Sequence, residues 1–319
     1  MLLAGDIGGT NARLAVFDSR LQPLRATTFR TADHAGLDEI LNRFLDPADR
    51  IVSACIGVAG TVAEDVVTGV NLPWRIERRE LAGSFAFPIL LVNDLEANAR
   101  GIAALAPHDF AVLNRGAADA RGTRAVVSAG TGLGEAALWW DGHRHRVAAS
   151  EGGHADFAPR TPLEVDLYRH LAAKHGHVSY ERVCSGAGLV EIYRFLRGIP
   201  AEEPGPDPAL ISAEAAVNQR SIGAQALELF ASIYGARAGN VALSFMATGG
   251  VFLGGGIAPK ILTWLQRGAF VSAFVDKGRL TPLLRGIPVR VVLNDRAALL
   301  GAARIANDAR IGGQLAVAA

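Results

Sequence analysis

The sequence predicts an α/β protein made of two similar halves with a cleft between them. One pattern occurs twice, near residue 1 and near residue 124: a short strand, a glycine-rich turn, a second strand, then further strands and helices. Glycine is abundant, at 36 of 319 residues, as expected where backbone segments approach each other or a ligand closely. Half of the residues are hydrophobic and a fifth charged, which supports sizeable cores and excludes a disordered chain.

The elements follow in order. Leu2-Leu3-Ala4 is a short apolar run ending in Gly5-Asp6, and residues 12–17 form a second strand. Ile7-Gly8-Gly9-Thr10-Asn11 joins them as a hairpin. Apolar residues at helical spacing over 37–45 predict a helix, and 51–58 reads as a strand. Residues 88–92 are nearly all apolar, as in a strand buried on both faces, and Asn93-Asp94 ends that run before an alanine-rich helix over 95–105. The second half starts near Pro107. Strands are expected over 124–128, 135–140 and 143–149, with Asp141-Gly142 as a hairpin turn. Helices follow near 163–175 and 185–197, and 209–245 reads as more than one helix. Strands over 249–256 and 289–293 and a helix over 295–306 complete the chain, with a Gly-Gly-Gln linker near 312–314.

Composition narrows the function. Thirty-two Lys+Arg against 31 Asp+Glu give a formal charge of +1, which argues against a nucleic-acid-binding surface over the whole protein but not against a local basic pocket. Two cysteines, Cys55 and Cys184, exclude a disulfide framework and a four-cysteine zinc site; reduced thiols suit the cytoplasm. Asp6 arrives too early for a signal peptide, and no stretch reaches the ~18 uncharged apolar residues of a membrane span.

Asp6-Ile7-Gly8-Gly9-Thr10-Asn11 sets an acid at a strand end before two glycines and two small polar side chains. Such a turn lets backbone N–H groups meet phosphate oxygens, with Thr10 adding a hydroxyl and Asp6 able to hold Mg²⁺ through water. A plain hairpin turn is the alternative. Gly130-Thr131-Gly132-Leu133-Gly134 is a second phosphate-friendly turn, without the lysine of a P-loop or the dinucleotide spacing. A third cluster runs from Gly249 through Gly254, Gly255 and Gly256, and its flat backbone suits an adenine or ribose.

The order Asp-x-Gly-Gly-Thr-Asn, Asn-Asp, Gly-Thr-Gly-Leu-Gly, Glu-Gly-Gly-His and Gly-Gly-Val-Phe-x-Gly-Gly-Gly resembles the bacterial glucokinase family, from Asp6 to about Gly301. The resemblance implies two ribonuclease-H-like domains of the actin-like ATPase type flanking a central cleft. On that layout residues 1–105 form a small α/β domain completed by a C-terminal helix over about 294–319, and 106–293 a large one. It further implies ATP with Mg²⁺, glucose phosphorylated at its 6-hydroxyl to feed glycolysis, and a homodimer. Asp6, Gly8, Gly9, Thr10, Asn11, Gly130, Thr131, Gly132, Gly255 and Gly256 are the expected ATP contacts.

Asp94, held at the end of a buried strand, is the candidate catalytic base; the alternative is a helix N-cap. Asn93 can donate and accept, as sugar hydroxyls require. Glu151 and His154 flank two glycines, and the resemblance implies that both touch the sugar ring. Glu181 in Glu-x-x-x-Ser-Gly is a further implied sugar ligand; the alternative is a first-turn helix acid. Asn71, three residues before Trp74, matches another element near the sugar pocket, whereas Trp74 reads as packing and Asp156 as a turn carboxylate. Many relatives carry proline where Ala59 stands, a change that bears on hinge behaviour. His143, Arg144, His145 and Arg146 read as a solvated strand face. A related group of kinases and repressors has a cysteine-rich zinc motif that this sequence lacks, so no structural zinc is expected, and no helix-turn-helix precedes Asp6. Two other readings are a sugar-binding or regulatory protein on the same scaffold and a chaperone-like ATPase. The polar cluster disfavours the second.

Overall fold

The computed structural model describes residues 1–63, 66–68, 72, 74–117, 119–199, 203 and 205–317. The chain divides into two compact units, Met1–Pro107 with Asn294–Ala319, and His108–Leu293.

The first unit opens with β1 (Leu2–Ile7), β2 (Asn11–Phe17), β3 (Pro23–Arg30), α1 (Leu37–Phe44) and β4 (Ser53–Val58). It continues with β5 (Thr61–Ala63), β6 (Val66–Thr68), β7 (Ile76–Glu77), α2 (Arg78–Ser84), β8 (Ile89–Asn93) and α3 (Asp94–Ile102). Its main sheet has the order β3-β2-β1-β4-β8, antiparallel from β3 to β1 and parallel from β1 to β8. Alternate residues of β1 and β2 serve two cores. Leu3, Ile7, Leu14 and Val16 pack with Leu37, Ile40 and Leu41 of α1. Leu2, Ala4, Ala15 and Phe17 pack with Ala97 of α3 and with Leu299, Ala302 and Ala303 of the C-terminal helix Ala297–Val317. β1 and β4 are buried on both faces, whereas β8, whose apolar run predicted such burial, is the last strand of the sheet and only Ile89 of it is fully buried.

The second unit contains β9 (Phe110–Asn114), β10 (Arg124–Ala129), β11 (Leu133–Trp140), β12 (His145–Ser150), α4 (Pro162–His175), α5 (Gly186–Arg197), α6 (Pro208–Val217), α7 (Ile222–Ser244), β13 (Gly250–Gly254) and β14 (Val289–Val292). Its sheet order, β12-β11-β10-β13-β14-β9, repeats the first unit's sequence of an antiparallel meander followed by parallel strands, then adds antiparallel β9 at the edge. The predicted recurrence of a strand–turn–strand unit is therefore real. The helical stretch over 209–245 divides where Asn218 ends α6 and the Ser221 hydroxyl accepts the Ala224 N–H to start α7.

Three expectations change. Gly312-Gly313-Gln314, expected as a linker, lies inside the C-terminal helix. Extending an existing helix adds one hydrogen bond per residue fixed, which offsets the roughly 1 kcal/mol penalty of each glycine. β3 was not predicted; its side chains are nearly all exposed, so it carries no buried alternation to read. The turn expected over Ile7–Asn11 is shorter, because β1 runs on to Ile7 and β2 begins at Asn11, leaving Gly8–Thr10.

Candidate active site

In the first unit, the parallel strands end in one row. Ile7 of β1 is in register with Val58 of β4, and Val58 with Asn93 of β8. That row brings the Asp6 turn and the Asn93-Asp94 pair to the same edge of one sheet, where open α/β sheets place ligands. The turn closes with Gly8 N–H donating to Asn11 O at 2.8 Å. Three carbonyls in and beside it accept protein donors. Ile7 O accepts the Ala59 N–H at 2.8 Å, Thr10 O the Thr31 N–H at 3.0 Å, and Gly8 O the Thr31 hydroxyl at 2.8 Å. In a trans peptide the N–H points opposite the C=O, so the Gly9 N–H is directed away from Thr31. Gly9, Thr10 and Asn11 are partly or fully exposed. Proline at 59 would lack the N–H that Ile7 O receives here.

Asp6 is half-buried, and its carboxylate lies 3.9 Å from the Arg13 guanidinium. Burial pushes its carboxyl above the ordinary value and Arg13 opposes that shift; burial prevails. Arg13 is itself anchored to Asp295 O at 3.2 Å.

The cap at the start of α3 is Asn93, not Asp94. Its Oδ1 accepts the Leu95 N–H at 2.9 Å and its Nδ2 donates to Gly60 O at 3.0 Å. Asp94 is the first helical residue, and its Oδ1 also accepts from Leu95 N–H at 2.9 Å. Asn71 lies outside the described residues. Trp74 is buried and donates its indole N–H to His34 O at 2.9 Å, the packing role expected of it. A cavity of about 430 Å³ opens beside Trp74, Asp38 and Glu77, and none of the candidate residues lines it.

In the second unit, three sugar candidates meet. His154 Nε2 lies 3.9 Å from Glu151 Oε2, and His154 Nδ1 lies 4.0 Å from Glu181 Oε1. Glu151 and His154 are exposed; Glu181 is about two-thirds buried, at 31% exposure. Glu181 Oε2 accepts the Leu133 N–H at 2.9 Å, so the carboxylate is seated on the turn that holds Gly130, Thr131 and Gly132. It is a first-turn acid of the short helix Tyr180–Arg182, as the plain reading expected, yet its carboxylate reaches across to another loop. The turn itself closes through Gly130 N–H to Gly132 O at 2.8 Å, and Gly130 O accepts the Gly186 N–H at 2.9 Å. Gly255, at φ +77°, packs its Cα directly against Ala129, so the second and third glycine clusters adjoin. Gly256 is exposed beside them.

The remaining candidates settle as structure. Asp141 accepts the N–H groups of His143 and Arg144 and pairs with Arg146, while His145 bonds Gly122 O at 3.0 Å. Asp156 is exposed and pairs with His177 at 3.3 Å. Among the described residues no group of three or more His, Cys, Asp or Glu is arranged to hold a metal. Two residues went unnoticed in the sequence, Glu135 and Arg237, which form a bidentate pair beneath the Glu151–His154 turn. The available signal was a charge standing inside each of two apolar stretches.

The glucokinase family model matches residues 3–309. The glucokinase of Nostoc punctiforme is 37% identical, with 95% of this chain and 98% of that protein covered. That of Synechocystis is also 37% identical, over 94% and 96%. The crystal structure of a glucokinase from an Antarctic psychrotroph superposes with a TM-score of 0.83 at 34% identity, covering 96% of this chain and 98% of that one. The Balamuthia mandrillaris glucokinase, solved in complex with glucose, shares the fold at a TM-score of 0.80 and 21% identity, over 96% and 93%. The mixed α/β architecture with two main sheets is thus of the actin-like ATPase type. With a family model over residues 3–309 and a relative 37% identical across 95% of it, this chain belongs to the glucokinase family.

Proposed function

We propose that this chain transfers the γ-phosphoryl group of ATP to the 6-hydroxyl of glucose, giving glucose 6-phosphate and ADP. The observation that carries the reading is the row Ile7–Val58–Asn93, which sets a phosphate-type turn and the Asn93-Asp94 pair at one sheet edge. Asp94 accepts the proton of the 6-hydroxyl as the phosphoryl group departs from ADP. Its place in the first turn of α3, directly after the end of β8, supports that role. Asn93, Asn71, Glu151, His154 and Glu181 hold the sugar hydroxyls, the carboxylates accepting and the amides and imidazole able to donate. Asn93 is partly committed to Gly60 and Leu95, which leaves one amide proton and a lone pair for a hydroxyl.

Gly8, Gly9, Thr10 and Asn11 take phosphate oxygens in the first unit, and Gly130, Thr131, Gly132, Gly255 and Gly256 take the nucleotide in the second. Asp6 fits Mg²⁺. It is a single half-buried carboxylate whose charged form is poorly solvated, and Mg²⁺ uses one such group beside waters and phosphates. When bound, the ion neutralises charge on the phosphate oxygens. The residues hold and orient the reactants; Thr10 donates its hydroxyl and Gly9 its N–H.

We further propose a cytoplasmic homodimer, on the strength of the family likeness. Among the described residues no helix is long and apolar enough to cross a membrane. The deciding experiment is ADP release from Mg-ATP by purified protein, with and without glucose. Glucose-dependent release with glucose 6-phosphate formed supports the proposal. Release without sugar would point to an ATPase, and glucose binding without release to a regulatory protein.

A further inference from the structure

Glu135 and Arg237 form a charged pair inside an apolar setting. Glu135 is 1% exposed and Arg237 13%, with Nε–Oε1 and Nη2–Oε2 both at 2.6 Å. A buried ion pair is weak evidence for stability, because desolvating both charges offsets most of their attraction. The pair's other contacts are more telling. Arg237 Nη2 also donates to Gly152 O at 2.8 Å, between Glu151 and His154. The guanidinium carbon lies 4.6 Å from the centroid of the Tyr180 ring, and Tyr180 immediately precedes Glu181. One guanidinium therefore touches both loops that carry Glu151, His154 and Glu181.

The surroundings hold it there. Glu135 is in register with Ser150, whose hydroxyl accepts the Gly152 N–H at 2.9 Å. Asn240, three residues after Arg237 on α7, donates to the Tyr180 hydroxyl at 3.0 Å and accepts from Lys277 Nζ at 2.6 Å. The fork of an arginine suits this arrangement: two nitrogens face a carboxylate while one of them also serves a carbonyl. A lysine supplies one point charge and cannot keep all of these contacts.

We infer that Arg237 is a positioning residue for sugar binding, with Glu135 orienting its guanidinium so that the Glu151–His154 turn and the Glu181 turn keep a fixed spacing. This rests on the proposed role of Glu151, His154 and Glu181 as sugar ligands. The test uses the full-length enzyme with Arg237→Lys, the double variant Glu135→Gln/Arg237→Met, and Glu151→Gln. Glucose affinity is measured by calorimetry, KM for glucose and ATP by initial rates, and folding by Tm. The double variant removes both charges together, so it leaves no unpaired charge in the core and serves if Arg237→Lys does not fold.

The expected result is about a tenfold or larger weakening of glucose binding and rise in glucose KM in the folded Arg237 variants, the scale of one lost charged hydrogen bond. ATP KM should stay within about twofold, a split that general destabilisation would not produce. Unchanged glucose affinity in a folded Arg237 variant, with Glu151→Gln weakened, overturns the positioning role alone. Unchanged affinity in Glu151→Gln overturns the sugar-ligand reading and this inference with it.

Discussion

Gly57 and Asp94 are in close contact: a Cβ placed on Gly57 would stand 3.4 Å from the Asp94 Cα and 2.9 Å from the Ala97 Cβ. Gly57 is also in register with Asp6 on the neighbouring strand. One missing side chain therefore lets the start of α3 lie against the strand pair that ends in the glycine turn. Gly57→Ala should push the first turn of α3 away. We expect a stability loss of roughly 1–3 kcal/mol from overpacking, read as a lower Tm, and a fall in kcat. A variant with wild-type kcat would show that the Asp94 position does not depend on this contact.

Asp94→Asn keeps the shape of the side chain and removes its ability to take a proton. The cap belongs to Asn93, so helix α3 should survive the change. Loss of a first-turn acid costs at most about 1 kcal/mol. We expect kcat to fall by about 10²–10⁴ with glucose affinity within a few-fold of wild type, measured by ADP release and calorimetry. Retained turnover removes Asp94 from the role of base.

Glu181 and Gly132 supply a third test. A Cβ on Gly132 would stand 2.5 Å from Glu181 Oε2, the oxygen that accepts the Leu133 N–H. Gly132→Ala must displace that carboxylate. From its sequence Gly132 reads only as a nucleotide contact, whereas its neighbour predicts a sugar effect as well. Glucose KM should rise by about tenfold, one charged hydrogen bond's worth, in initial-rate measurements. An increase confined to ATP KM would detach Glu181 from the sugar.

Local chemistry written in contiguous residues was legible, and contacts between distant residues were not. The hairpin at Gly8-Gly9, the strand into Asn93 and the divided helix over 209–245 each follow from periodicity and turn residues. Glu151 and His154 are three residues apart, so their proximity was readable. The seating of Glu181 on Leu133, 48 residues away, was not. The Glu135–Arg237 pair spans 102 positions, and each partner alone looks like an isolated charge. Asn93 and Asp94 are adjacent cap formers; the sequence reading assigns the cap to Asp94 as its alternative role, and the structure gives it to Asn93. The choice follows from backbone angles: Asn93 has the extended ψ of 142° that a cap requires.

Asp6, the proposed Mg²⁺ carboxylate, carries a cost in stability. Burial raises its folded carboxyl above the ordinary value of 3.8, so the native state holds the proton more tightly than the unfolded chain. Stability then falls as pH rises from about the unfolded value through the raised folded value, above which the cost is full. Asp6→Asn removes that cost. The ligand-free variant should show a higher Tm than wild type at pH 7, and the difference should close below pH 3.8. Mg-ATP should reverse the order: it stabilises wild type through binding to the native state, and should stabilise the variant less. Turnover should fall by about tenfold or more as the proposed Mg²⁺ carboxylate is lost. A ligand-free Tm below wild type at pH 7 would mean that pairing with Arg13, not burial, governs this carboxylate.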